Sequence, residues 1–140
     1  MSDQGFELFE TTADVGIMAW GETLEELFAN AARGMFALMV DPATVRSTGR
    51  LSIEARGGDL PSLLVAWLNE LLDRCEAEAW APSEVRVAAI GGGRASGELA
   101  GEPAEAGRHR FRGVVKAATY HLLNCQKDGD RWRAKVVFDV

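Results

Sequence analysis

Apolar residues alternate with polar ones in several short stretches of the chain, and this period of two predicts β-strands. Residues 6–10 and 15–20 read as two strands on either side of a Thr-Thr-Ala-Asp turn. Further along, Leu51, Ile53 and Ala55 alternate with polar or charged neighbours, as expected of a half-buried strand. The first third of the chain therefore supplies three strands.

Two longer segments show apolar residues at helical spacing instead. Thr23 and Glu26 form a capping box at the start of the first helix, and Pro42 marks its end. Asp59 caps the second, and Pro61 is tolerated in its first turn. The stripe of this second helix is strongly apolar, so we expect it to be a principal part of the core. Its members are Leu60, Leu64, Trp67, Leu68, Leu71, Leu72 and Cys75.

The second half of the chain is almost entirely strand-like. The pattern predicts strands over 84–90, 95–100, 111–121 and 131–139, with a turn at 91–93. Strands that follow one another through short turns pair antiparallel. The predicted fold is therefore α+β, in two layers, with two helices packed on one face of a mainly antiparallel sheet of about six strands.

Composition narrows this picture. The 140 residues are 47% apolar, which predicts one domain over 1–140 with a sizeable core. A net charge of −6 disfavours a protein that holds nucleic acid by itself, although it suits docking onto a basic partner. The two cysteines, Cys75 and Cys125, lack metal-site spacing and are expected to be core residues. No signal peptide or membrane span is recognisable, so the expected location is the cytoplasm.

Three carboxylates near the two chain ends form the first candidate site. Asp14 lies between two apolar stretches, and Asp139 is followed directly by the α-carboxylate of Val140. If the first and last strands are neighbours, these oxygen ligands converge, and such a cluster takes up a proton or a hard divalent cation. The alternative is that Asp139 is an ordinary exposed acid.

Two further charged residues leave alternatives open. Lys116 follows two valines and precedes two alanines, so it either reaches an anion or is a solvated strand lysine. Glu70 lies at the edge of the apolar stripe of the second helix, where it is exposed, pairs with Arg74, or reaches a site beside the helix.

Six short blocks, in order along nearly the whole chain, resemble the archease family. The ending of the chain is also characteristic of that family. The blocks are Phe9–Ile17, Thr23–Phe28, Trp67–Leu72, Gly101–Glu102, Val115–His121 and Val137–Val140.

The resemblance implies a protein that is not itself an enzyme. Archease-like proteins activate the RtcB-type RNA ligase of tRNA splicing and RNA repair, by promoting its guanylylation and its multiple turnover. RNA and GTP would then be met only through the ligase. In this family Lys116 matches a lysine implicated in activation, and Glu70 and His121 match other recurrent polar positions.

The resemblance also implies a bound divalent metal ion. Asp14, Asp139 and the Val140 carboxylate match the family's metal site; calcium is the ion expected in crystals, and magnesium or manganese are the candidate cellular ions. One departure concerns the usual His-Thr-Ala-Asp motif, whose first residue is Thr11 in this chain. Thr11 can position water or cap the turn, but it cannot replace an imidazole.

Two rival functions fit the same residues. A general chaperone or scaffold for RNA-processing enzymes would need no metal. A free-standing metal-dependent phosphohydrolase would use the acids, but the sequence offers no evident general base or second metal cluster.

Overall fold

The computed structural model describes residues 4–140, which form eight strands and two α-helices. The elements in chain order are β1 (Phe6–Glu10), β2 (Val15–Gly21), α1 (Leu24–Met39), a 3-10 turn (Pro42–Thr44), β3 (Gly49–Arg56), α2 (Leu60–Ala77), β4 (Trp80–Gly91), β5 (Arg94–Pro103), β6 (Ala117–Ala118), β7 (Asn124–Asp128) and β8 (Arg131–Asp139).

The strands form two antiparallel sheets. In the first sheet β8 is central, with β2 on one edge, β6 and β7 sharing the other edge, and β1 outside β2. The second sheet has the order β3-β5-β4. The α+β class, the two helices and the antiparallel pairing are confirmed. The strands number eight in two sheets, where one sheet of about six was expected.

Both helices begin where their capping residues predict. The Thr23 hydroxyl accepts a hydrogen bond from the Glu26 amide at 3.1 Å, and the Asp59 carboxylate accepts one from the Ser62 amide at 2.8 Å. Each helix contacts strands of both sheets, and their apolar faces meet in the core. The predicted core position of Cys75 and Cys125 is confirmed, since both are buried free thiols.

The turn predicted at 91–93 is confirmed as the link between β4 and β5. Gly92 and Gly93 have φ values of 60° and 74°, a left-handed conformation that glycine adopts without strain. Among residues 4–140 no helix is both long and apolar enough to span a membrane.

The predicted strand over 111–121 is wrong. Only Ala117 and Ala118 pair with β8, and Phe111 makes an isolated bridge to Val40 at the end of α1. The residues between them are irregular. The alternation in this segment reflects successive contacts with different elements rather than one continuous ladder. Gly101 and Glu102, one of the family blocks, lie in the last part of β5, which ends at Pro103.

Candidate functional site

The two acids predicted to share a site lie at the same end of the first sheet. Val15 of β2 is paired with Phe138 of β8, so Asp14 and Asp139 are the next residues outward on adjacent strands. Adjacent strands run about 5 Å apart, which brings the two residues into one region. Asp14 is half-buried and Asp139 is exposed, as is Val140 beyond it.

The donor set at this end of the sheet consists of hard oxygen ligands. Two carboxylates on neighbouring strands repel each other, and a divalent cation relieves that repulsion. Within residues 4–140, no three side chains of His, Cys, Asp or Glu are clustered as a metal site. The predicted set contains only two such side chains, because its third member is the main-chain carboxylate of Val140.

Thr11 holds the turn that carries Asp14. Its hydroxyl accepts hydrogen bonds from the amides of Asp14 at 2.9 Å and Ala13 at 3.3 Å, while its own amide donates to the Asp14 carbonyl at 2.8 Å. Thr11, which replaces the histidine of the family motif, therefore caps the turn, as expected for one of its two possible roles.

His121 is brought to Asp14 from the other edge of β8. Its Nε2 atom lies 3.6 Å from an Asp14 carboxylate oxygen, too far for a hydrogen bond but close enough for an ion pair when the imidazole is protonated. The preceding turn is held by Thr119, whose hydroxyl donates to the Val137 carbonyl at 2.8 Å and accepts weakly from the His121 amide at 3.3 Å.

Asn69 of α2 also holds this segment, a role that the sequence pattern does not indicate. Its side-chain oxygen accepts from the Ala118 amide at 2.7 Å, and its nitrogen donates to the Ala118 carbonyl at 3.2 Å. The amide side chain thus takes the place of a neighbouring strand on the open edge of β6. No sequence signal distinguishes this asparagine from a solvated helix residue, because its partner is 49 positions away.

Lys116 has one connection to the acids, through its backbone. Its amide donates to the Asp139 carbonyl at 2.8 Å. Lys116 also lines a groove whose other side is formed by Asp73 and Glu76 of α2, and that groove does not include Asp14 or Asp139. The lysine therefore lies between the acidic end of the sheet and this groove.

Glu70 remains half-buried on α2, next to Asn69. The alternative in which it pairs with Arg74 is not realised in the structure, because the Arg74 guanidinium donates to the Ser52 carbonyl at 2.6 Å instead. Within residues 4–140, Glu70 makes no hydrogen bond or ion pair with Asp14, Asp139 or Lys116.

A second cluster of polar groups, also missed in the sequence, is buried at the end of β5. The Glu102 carboxylate accepts from the Arg108 guanidinium at 2.5 Å, the Arg46 amide at 2.8 Å and His109 Nε2 at 2.8 Å. His109 Nδ1 accepts a hydrogen bond from the Glu105 amide at 2.9 Å. The ring proton is therefore on Nε2, which donates the hydrogen bond to Glu102. Arg108 above all, and then Arg46 and His109, lower the pKa of Glu102 to about 2.

At the centre of this cluster Glu102 and His109 are buried, while Arg108 and Glu105 cover them on the exposed side. The cluster ties the loop after β5 to the segment before β3 through satisfied hydrogen bonds, which is a structural role. The chemistry available to a partner lies instead at the exposed end of β2 and β8 and along residues 111–122.

Comparison with known proteins is consistent across the whole chain. Residues 6–140 match the model of the Archease protein family. The Protein archease of Methanopyrus kandleri is 36% identical over 96% of this chain and 99% of its own length. That of Methanosarcina acetivorans is also 36% identical, over the full length of both proteins.

Two solved structures have the same fold. The solution structure of Methanobacterium thermoautotrophicum protein 1598 has a TM-score of 0.85 and 35% identity, covering 98% of this chain and 99% of that one. The crystal structure of an archease, described as a possible chaperone, from Thermotoga maritima has a TM-score of 0.64 and 24% identity, covering 94% of each chain. The second likeness concerns the fold alone.

Proposed function

The chain belongs to the archease family, and from that membership we propose that it activates an RtcB-type RNA ligase without being an enzyme itself. The observation that carries the proposal is the placement of Asp14 and Asp139 at the ends of adjacent strands, with Lys116 bonded to the Asp139 backbone. In this view the protein promotes guanylylation of the ligase and its repeated turnover.

Asp14, Asp139 and the Val140 α-carboxylate are the residues that would hold a divalent cation. They fit such an ion because all three offer hard oxygen atoms at the exposed end of one sheet. A bound cation would supply positive charge to phosphate oxygens. Calcium is a convenient probe, and magnesium or manganese are the proposed cellular ions.

The chain's own residues then have separate tasks. Thr11 fixes the backbone of Asp14, and Thr119 fixes the turn before His121, so the polar groups at this end are held before a partner arrives. Lys116 offers a cation at the side of the acids. A protein that binds one conformer of the ligase more tightly shifts the ligase toward that conformer, which is sufficient for activation.

The test is formation of the covalent ligase–GMP adduct from labelled GTP, with the cognate ligase and substoichiometric amounts of this protein. We expect wild-type protein to accelerate the adduct, and Asp14→Asn and Asp139→Asn to abolish that effect. Asp130→Asn is the matched control, because Asp130 is exposed in the turn at the opposite end of β8. Equal adduct with and without wild-type protein would refute the proposal.

Calorimetric titration with calcium and manganese tests the metal separately. Both site variants should lose binding while Asp130→Asn retains it. Adding a few residues after Val140 should weaken binding by displacing the α-carboxylate, and an unchanged titration would remove that group from the ligand set.

A metal-independent scaffold is the second candidate. It is favoured by the exposed apolar side chains Phe111, Val114, Tyr120 and Leu122, which suit a protein interface. Stimulation of the ligase that survives both Asp14→Asn and Asp139→Asn would select it.

A further inference from the structure

The groove beside Lys116 has an apolar floor and polar sides. It has a volume of about 430 Å³ and separates the C-terminal half of α2 from residues 113–116. We call it the α2 groove. The floor is lined by Met39, Leu72, Cys75, Trp80 and Val115. An apolar cavity of this size accommodates one or two side chains of a partner.

One side of the α2 groove consists of backbone without hydrogen-bond partners. The Arg112 amide donates to the Met39 carbonyl, and the Lys116 amide donates to the Asp139 carbonyl, both within 3 Å. Between them, the amides and carbonyls of Gly113, Val114 and Val115 make no hydrogen bond to any described residue. Such groups are normally paired in a folded protein, and a row of free ones is a template for an added strand.

The opposite side carries unpaired negative charge. Asp73 and Glu76, one helical turn apart on α2, are exposed, and neither forms an ion pair with the described part of the chain. Lys116, across the groove, is likewise without an ion pair in residues 4–140. Two free acids facing a free backbone favour a partner that brings both a cation and peptide groups.

We propose that the α2 groove binds an extended peptide segment of the ligase. The segment adds to residues 113–115 by backbone hydrogen bonds, inserts an apolar side chain over Leu72, and directs a lysine or arginine toward Asp73 and Glu76. The choice of the ligase as partner rests on the proposed function; the choice of a basic peptide rests on the groove. A nucleic acid would have to place phosphates beside the two acids, which their charge opposes.

Two substitutions address the two halves of the contact. Val114→Asp places a charge beside the added strand, and Glu76→Lys reverses the acidic side. Val114 is 71% exposed, so the fold tolerates the change. The matched controls are Leu8→Asp, on another exposed apolar residue, and Glu22→Lys, on another exposed acid.

The experiment measures the affinity of each full-length variant for the cognate ligase, and hydrogen exchange of wild-type protein with and without that ligase. We expect Val114→Asp to weaken binding at least about fivefold, as for a central apolar contact. Glu76→Lys should weaken it about tenfold at low salt and less at high salt, while both controls bind as wild type. The amides of residues 113–115 should exchange at least about tenfold more slowly in the complex.

The outcomes separate this inference from the proposed function. If wild-type protein stimulates the adduct but both variants bind like their controls and residues 113–115 exchange unchanged, the groove inference is wrong and the activator function stands. If the ligase protects residues 113–115 but no adduct is stimulated, the activator function is wrong and the groove inference stands. Protection that appears without ligase and rises with protein concentration would mean that a second copy occupies the groove, and would overturn the inference.

Discussion

Replacing Asn69 by alanine tests whether one helix side chain positions the segment that carries Lys116 and His121. The substitution removes both hydrogen bonds to Ala118, which is 5% exposed. Water therefore has little access to the amide and carbonyl that lose their partner.

The magnitude follows from these contacts. Two lost hydrogen bonds cost about 1 kcal/mol each, and a buried group left unpaired adds about 1–3 kcal/mol. Alanine offsets roughly 0.5 kcal/mol through its better helix propensity. We expect a net loss of about 2.5–4.5 kcal/mol in the free energy of unfolding, which for a domain of this length lowers the melting temperature by roughly 8–18 °C.

Urea unfolding of Asn69→Ala, with Asn124→Ala as the matched control, measures this loss. Asn124 is exposed on β7, and its side chain makes no hydrogen bond within residues 4–140. Hydrogen exchange should show the Ala118 amide of β6 opening well before the amides of β8. If Asn69 positions the segment, Asn69→Ala should also stimulate the ligase less than Asn124→Ala does, at a temperature where both variants are folded.

Unfolding of Asn69→Ala and Asn124→Ala at the same urea concentration would contradict this prediction. In that case the Ala118 amide and carbonyl find other partners at no cost, and the edge of β6 is held by β8 alone. A stability loss without any change in the exchange of Ala118 would place the effect elsewhere in α2.

Three further predictions concern Glu102, the two buried cysteines and Thr11. The pKa of Glu102 is about 2 in the folded protein against an ordinary 4.5. The ionised carboxylate therefore contributes fully to the free energy of unfolding above pH 4.5, and this contribution is lost as the pH falls toward 2. Glu102→Gln should flatten that part of the curve of stability against pH, and an unchanged slope would contradict this. Burial raises the pKa of Cys75 to about 12 and that of Cys125 to about 11, so a thiol reagent at pH 8 should label neither in the native protein and both in urea; rapid native labelling would show that one is accessible. Thr11→Val should lower the free energy of unfolding by about 1 kcal/mol, whereas Thr11→Ser, which keeps the acceptor for the Asp14 amide, should not. Equal melting temperatures of the two variants would show that the Thr11 hydroxyl does not stabilise the turn.

Local patterns were sufficient for most of the secondary structure. The capping residues Thr23 and Asp59 predicted both helix starts, because a capping bond joins residues three apart. The strands β1, β2, β3 and β8 followed from alternation that one continuous partner strand maintains. The family resemblance was likewise readable, and the comparisons confirmed it over residues 6–140.

The segment from Phe111 to His121 shows where local patterns stop. Its alternation looked like a strand, yet α1, the α2 groove and β8 each contact a different part of it. Whether an apolar alternating stretch forms a ladder depends on whether an unpaired strand edge runs beside it. That is a property of the assembled sheets and not of the segment.

The polar networks were decided at the same level. Asn69 and Ala118 are 49 positions apart, and Glu102 meets the Arg46 amide from 56 positions away, so neither contact leaves a periodic signal. The sequence by itself determined which residues prefer helix, strand or turn, and which acids stand near the chain ends. Only the tertiary structure decided which of these polar groups meet, because a buried hydrogen bond between distant residues exists only after packing has excluded water from both partners.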